Sequence, residues 1–296
     1  MTFDARKGSA PSGSGRQNLL FGGLTLAVVC GAFFAVLSLP HAGDKPARPH
    51  SDILAAADAA VPRLPGKAAE AYYEALGRID AEAQADLSRQ IARAGKTGEA
   101  ELAKMIMVHA GEVLQAHAGE LAMADTKHVD RVLDLARDRL RMASGKRSKW
   151  CEATRYTYLQ QIEFRKPDEW QRELAELEEP MRDFTFEALA GFMVAIEDAR
   201  ERPVRRGTMT RADEAALQGV MMSIIADPEM RPILLASQSG GDAAEALKGV
   251  NVCNLAATAV TAAKTLPQET KGRLLAEAMK NMEKNGPDAF ARGVSF

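Results

Sequence analysis

The sequence predicts an all-α protein: one N-terminal transmembrane helix followed by a soluble multi-helix domain of about ten helices. Three observations lead there. Alanine is abundant and aromatic residues make up only 5% of the chain, a composition that favours helices over strands. Apolar residues recur at three- and four-residue spacing, with no strand alternation, no βαβ spacing and no fixed-period repeat. One uncharged stretch near the N-terminus is long enough to cross a bilayer.

In chain order, residues 1–17 come first. Their run of Gly, Ser, Ala and Pro cannot bury a core, so a disordered cytoplasmic tail is expected. Residues 18–39 form the predicted transmembrane helix, uncharged and about 30 Å long at about 1.5 Å per residue. A cleaved signal peptide has a shorter apolar core and a better small-x-small site than His41, Ala42 and Gly43 offer, so the anchor is expected to stay. Lipidation at Cys30 is disfavoured by Val29 before it. Arg6, Lys7 and Arg16 bias the tail to the inside, which places the domain outside the cytoplasm. Within the span, Gly23, Ala27, Gly31 and Ala35 recur every four residues. That small-residue face permits close pairing with a second membrane helix, as in a homodimer.

Residues 40–50, with Pro40, Pro46 and Pro49, read as a linker, and residues 51–296 as the helical domain. Its first clear stripe is Tyr72, Leu76, Ile79, Ala83, Leu87 and Ile91, one amphipathic helix ended by Gly95 and Gly98. A second runs Val129, Leu133, Ala136 and Leu140, capped by Asp125 or Thr126 and stopping near Gly145. Pro167, Pro180, Pro228, Pro267 and Pro287 sit where new helices can begin, and Thr210 with Asp213 resembles a capping box. Residues 250–263 carry no charge and are expected to form the central buried helix, too short for a second span. Met221, Met222, Met279 and Met282 fit core spacing better than a cofactor box.

Four constellations bear on function. Cys151 and Cys253 are an even pair in the domain and candidates for one disulfide, which would suit an exported protein; two buried thiols are the alternative. The basic loop Lys146, Arg147 and Lys149, followed by Trp150 and by Tyr156, Tyr158, Phe164 and Trp170, is the first place to look for a binding surface. The tetrapeptide His-Ala-Gly-Glu occurs twice, at residues 109–112 and 117–120. His109, His117 and Glu120 share the sector of Leu102, Met105, Ile106 and Val113, a weak metal-site candidate with His128 as the nearest further ligand. A satisfied core or interface histidine is the simpler reading of that pattern. The acidic run at residues 176–179 reads as a solvated helix face.

Formal net charge is −2, from 38 basic and 40 acidic side chains, so nothing draws the chain as a whole to nucleic acid. There is no nucleophile elbow, P-loop, dinucleotide fingerprint, HExxH or CxxC, and no cofactor is implied. These readings converge on a single-pass inner-membrane protein of a bacterial envelope. Its periplasmic domain would act by protein binding, as an adaptor or assembly factor. The bacterial assignment rests on the alanine content and the lack of an N-x-Ser/Thr sequon. Two alternatives are a tethered cell-wall hydrolase using a buried Glu and a cytoplasmic membrane-tethered regulator.

Overall fold

The computed structural model describes residues 63–154, 177–232, 234–235 and 248–285. The predicted tail, span with its small-residue face, and linker lie outside them. The stripe from Tyr72 to Ile91 forms two helices rather than one, α1 (Lys67–Ile79) and α2 (Ala81–Ala94). Asp80 makes the break. Its backbone leaves the helical region at φ −151°, its N–H donates to Leu76 O at 2.8 Å, and its Oδ1 accepts from Ala83 N at 2.8 Å. One aspartate thus closes one helix and caps the next. The buried stripe survives the bend, since Tyr72, Leu76, Ile79 and Leu87 all lie in the core.

Helix α3 (Glu99–Ala116) and the single turn α4 (Ala118–Leu121) are separated at His117. Helix α5 (Thr126–Gly145) starts as expected, with the Asp125 side chain accepting from Lys127 N at 2.9 Å. It is followed by a 3-10 turn at Lys149–Cys151, α6 (Met181–Glu201), α7 (Arg211–Ile225), a 3-10 turn at Pro228–Met230, α8 (Val252–Lys264) and α9 (Gln268–Asn285). The described residues therefore hold nine α-helices and no strand, close to the expected number. Pro180, Pro228 and Pro267 stand at helix starts, while Pro167 and Pro287 lie outside the described residues. The capping box is complete, with Thr210 accepting from Asp213 N and Asp213 accepting from Thr210 N. Asp213 also takes both hydrogen bonds of the Arg273 guanidinium, at 2.8 and 2.9 Å, and one from Thr270 at 2.6 Å. These donors, Arg273 first, hold its carboxyl well below the ordinary value and fasten α7 to α9.

The spine of the fold is α6, not the uncharged segment near residue 250. Phe186, Leu189, Met193 and Ile196 of α6 are fully buried, and it packs on α1, α3, α4 and α5. Full burial of each such side chain stabilises by about 1.5–3 kcal/mol relative to exposure. Helix α8 has a different task. It presents Cys253, Ala256, Ala257 and Val260 to the main core, and Leu255 and Ala259 to a smaller core with Val220, Ile224, Met230 and Leu266. Lack of charge on α8 before Lys264 reflects burial on two sides rather than a central position. Among the methionines, Met279 and Met282 are core residues, but Met222 is 63% exposed on α7, contrary to its spacing. Among the described residues no helix is long and apolar enough to cross a membrane.

Helix α8 runs antiparallel along α5. Ser144 Oγ donates to Asn254 Oδ1 at 2.7 Å at one end, and Lys264 pairs with Asp134 further along. This brings the loop after α5 against the segment that leads into α8.

Candidate binding cleft

The first wall of the cleft is the end of α5. The helix stops at Gly145, as expected, but the left-handed position falls on Arg147 at φ 52°. Two hydrogen bonds close the cap: Arg147 N donates to Ser144 O at 3.0 Å and Ser148 N to Ala143 O at 3.2 Å. This is the Schellman arrangement, in which glycine normally takes the left-handed site because a Cβ there is strained. Ser148 then caps the 3-10 turn, accepting from Trp150 N at 3.3 Å, and Cys151 turns into the core.

The second wall enters through Gly249, at φ 86°, to Asn251, whose side chain caps α8 by accepting from Asn254 N at 3.1 Å. Three ties join the walls. Cys151 and Cys253 form a disulfide across 102 residues of sequence, with an S–S length of 2.02 Å. Glu152 and Asn251 make an isolated antiparallel bridge, and Asn251 Nδ2 donates to Ser144 Oγ at 2.9 Å. Between the walls lies a cleft of about 350 Å³, whose lining includes Arg147, Ser148, Cys151, Glu152, Lys248 and Asn251.

The expected binding loop is therefore one rim of a cleft. Lys146, Arg147 and Lys149 are exposed and Trp150 is half-buried. Lys149 Nζ meets Glu178 at 3.1 Å, whereas neither Lys146 nor Arg147 has a carboxylate partner among the described residues. The other aromatics of this group, Tyr156, Tyr158, Phe164 and Trp170, lie outside those residues. Sequence reasoning missed the second wall. Its only local signals were a glycine and an asparagine ahead of an uncharged helix, which is ordinary turn and cap chemistry.

The repeated tetrapeptides meet different surroundings. His109 is buried within α3. His117, at the α3–α4 break, sits between two carboxylates, with Nδ1 2.6 Å from Glu120 and Nε2 3.1 Å from Asp80. Both ring nitrogens are thereby engaged by carboxylates. Arg200 completes the cluster by donating to Glu120 at 2.9 Å and to Ile79 O at 2.6 Å. Its guanidinium also lies 3.2 Å from His117 Nδ1. Burial raises the Glu120 carboxyl, but hydrogen bonds from Arg200 and His117 outweigh it and hold the group below its ordinary value. That is the reverse of what a general acid needs. Asp80 and Arg200, which the sequence did not single out, make the cluster a clasp between the two helix breaks and α6.

His128 is engaged elsewhere, donating from Nε2 to Asp198 at 2.9 Å beside Lys127 at 2.8 Å and Arg202 at 2.5 Å. Hydrogen bonds from Lys127 and then His128 press the Asp198 carboxyl well below its ordinary value. Among the described residues no three His, Cys, Asp or Glu side chains are grouped to hold a metal ion. Glu178 and Glu179 of the acidic run are exposed, but they lie in the turn before α6 rather than on a helix face.

No protein family, curated protein or solved structure matches the chain.

Proposed function

We propose that this protein is a single-pass, membrane-anchored envelope protein that acts by binding a protein partner. The cleft between residues 146–154 and 248–251 would be its binding surface, on a periplasmic domain. The observation that carries the reading is the Cys151–Cys253 disulfide between the walls. Disulfides persist in oxidising compartments, so a cross-link that holds a surface cleft in shape suits an exported domain. The uncharged stretch at residues 18–39 supports the anchor, and the small-residue face of that stretch would add a second, membrane-embedded contact. The rim supports the binding role, because Arg147, without a carboxylate partner among the described residues, and the half-buried Trp150 are residue types enriched at protein interfaces.

Two measurements test this. A C-terminal alkaline phosphatase fusion should be active, because the enzyme needs export. Crosslinking of the intact protein in membranes, followed by mass spectrometry, should return a defined partner that is lost when Lys146, Arg147 and Lys149 are together changed to Glu. An inactive fusion, or a partner retained by the triple variant, would overturn the reading.

A further inference from the structure

The charged residues that line the cleft are Arg147 and Lys248 against Glu152, and Lys149 on its rim is paired with Glu178. The whole chain is slightly acidic at −2, yet the cleft and its rim gather Lys146, Arg147, Lys149 and Lys248, with Glu152 as the acidic lining residue. Lys146 and Arg147 reach no carboxylate among the described residues. Elsewhere on the same helix Lys127 pairs with Asp198, Arg137 with Asp134 and Asp138, and Arg139 with Glu187, while exposed Arg131 and Arg141, like Lys146 and Arg147, reach no carboxylate among the described residues. Of these cations, Arg147 lines the cleft.

Resting on the binding reading above, we propose that the cleft takes an acidic peptide segment of the partner, with a partner carboxylate on the Arg147 guanidinium. Arg147 is suited to this because its departure point is fixed. Its left-handed backbone is pinned by the Arg147–Ser144 and Ser148–Ala143 hydrogen bonds, and Cys151 is tied to the opposite wall. A planar guanidinium on a rigid mount recognises a carboxylate bidentately at a low ordering cost. Glu152 argues against a compact polyanion. A phosphate in a cleft this small meets its negative charge, whereas a peptide can offer a side-chain carboxylate to Arg147 and backbone N–H groups to Glu152. At about 350 Å³ the cleft lies at the small end of ligand pockets, about 300–1,000 Å³, so it admits side chains of a segment and not a folded domain. Trp150 on the rim supplies apolar area beside the charge.

The test uses the full chain, disulfide intact, in nanodiscs of phosphatidylcholine. The probe is a fluorescein-labelled peptide of alternating glutamate and glycine, and the readout is anisotropy. The expected result is saturable binding that weakens with added salt and is absent for the glutamine-for-glutamate peptide. Arg147→Glu should weaken it by about tenfold or more. Arg147→Gly should weaken it comparably while the melting temperature rises, since glycine relieves the left-handed strain. A loss of binding with a gain of stability cannot come from misfolding. Arg205→Glu, exposed and beyond the far end of α5, should bind as the parent does. No binding, binding unchanged in Arg147→Glu, or displacement of the peptide by inorganic phosphate or phosphatidylglycerol vesicles at matched charge would each overturn the proposal. The binding reading itself fails separately, when the crosslinked partner survives the triple charge reversal.

Discussion

Replacing Tyr72 by Phe should stabilise this protein. Tyr72 lies on α1 with 0% exposure, and its hydroxyl has no hydrogen-bond partner among the described residues. Burial first, and then the negative charge of Asp80, push the phenol far above its ordinary value, so it stays neutral and cannot recover by ionising. In the unfolded chain the same hydroxyl bonds to water. Folding therefore strips one donor and acceptor of its partners, at a cost of about 1–3 kcal/mol. Phe keeps the ring and its packing and removes only that cost. Allowing for the small void left by the oxygen, the gain should be about 1–2 kcal/mol. With a urea slope of about 2–3 kcal/mol/M, the unfolding midpoint should rise by about 0.5 M at unchanged slope. Urea denaturation of parent and variant, followed by far-ultraviolet circular dichroism, measures this. A lower midpoint would mean that the hydroxyl is satisfied, for example by a trapped water, and would refute the reasoning.

Three other outcomes follow from the same contacts. Changing both Cys151 and Cys253 to Ala should cost about 2–5 kcal/mol, since the cross-link closes a loop of 102 residues; thiol titration of the denatured parent before and after reduction should also find two additional groups only after reduction. Glycine-to-alanine changes on two helices should differ in sign. At exposed Gly219 of α7 nothing lies within reach of a new Cβ, so Gly219→Ala should gain about 1 kcal/mol. At Gly272 of α9 a Cβ overlaps the Arg206 guanidinium, which donates to Ala124 O, so Gly272→Ala should lose about 1 kcal/mol despite the helix-propensity gain; thermal melts compare them. Asp198 has a depressed pKa when folded, so its contribution is complete above the ordinary aspartate value of 3.8 and fades as pH falls through its folded value below that. The stability gap between parent and Asp198→Asn should thus be steady from about pH 7 to about pH 5 and shrink below, as urea midpoints at each pH will tell.

What the sequence made legible was local chemistry. Asp125 as a cap, the Thr210–Asp213 box and Pro180, Pro228 and Pro267 at helix starts all act within a few residues of themselves, and each stands where its chemistry put it. The Cys151–Cys253 pair was legible for another reason, because two cysteines in one domain allow a single pairing. The break at Asp80 was hidden because the buried stripe keeps its period across it, from Ile79 to Leu87. Periodicity reports which face is buried, not whether one helix or two carry it. The role of α6 was hidden for a related reason. Its charges cluster towards its ends and its middle is apolar on several sides, so no single stripe marks it.

The doubled tetrapeptide sets the limit most sharply. Residues 109–112 and 117–120 are identical in sequence and one tetrapeptide apart, yet His109 is enclosed within α3 while His117 stands at a helix break between Asp80 and Glu120. Nothing inside the tetrapeptide distinguishes them. The difference comes from Asp80, 37 residues before His117, and Arg200, 83 residues after it. The cleft follows the same logic, since its Arg147 rim is readable as a basic loop but becomes one wall of a cleft only when Asn251 and Cys253 arrive from about 100 residues away, a closure whose entropy the local sequence does not register. Residue type decides which chemistry is available at a position, and the long-range partner decides whether that chemistry becomes a clasp, a core contact or an open rim.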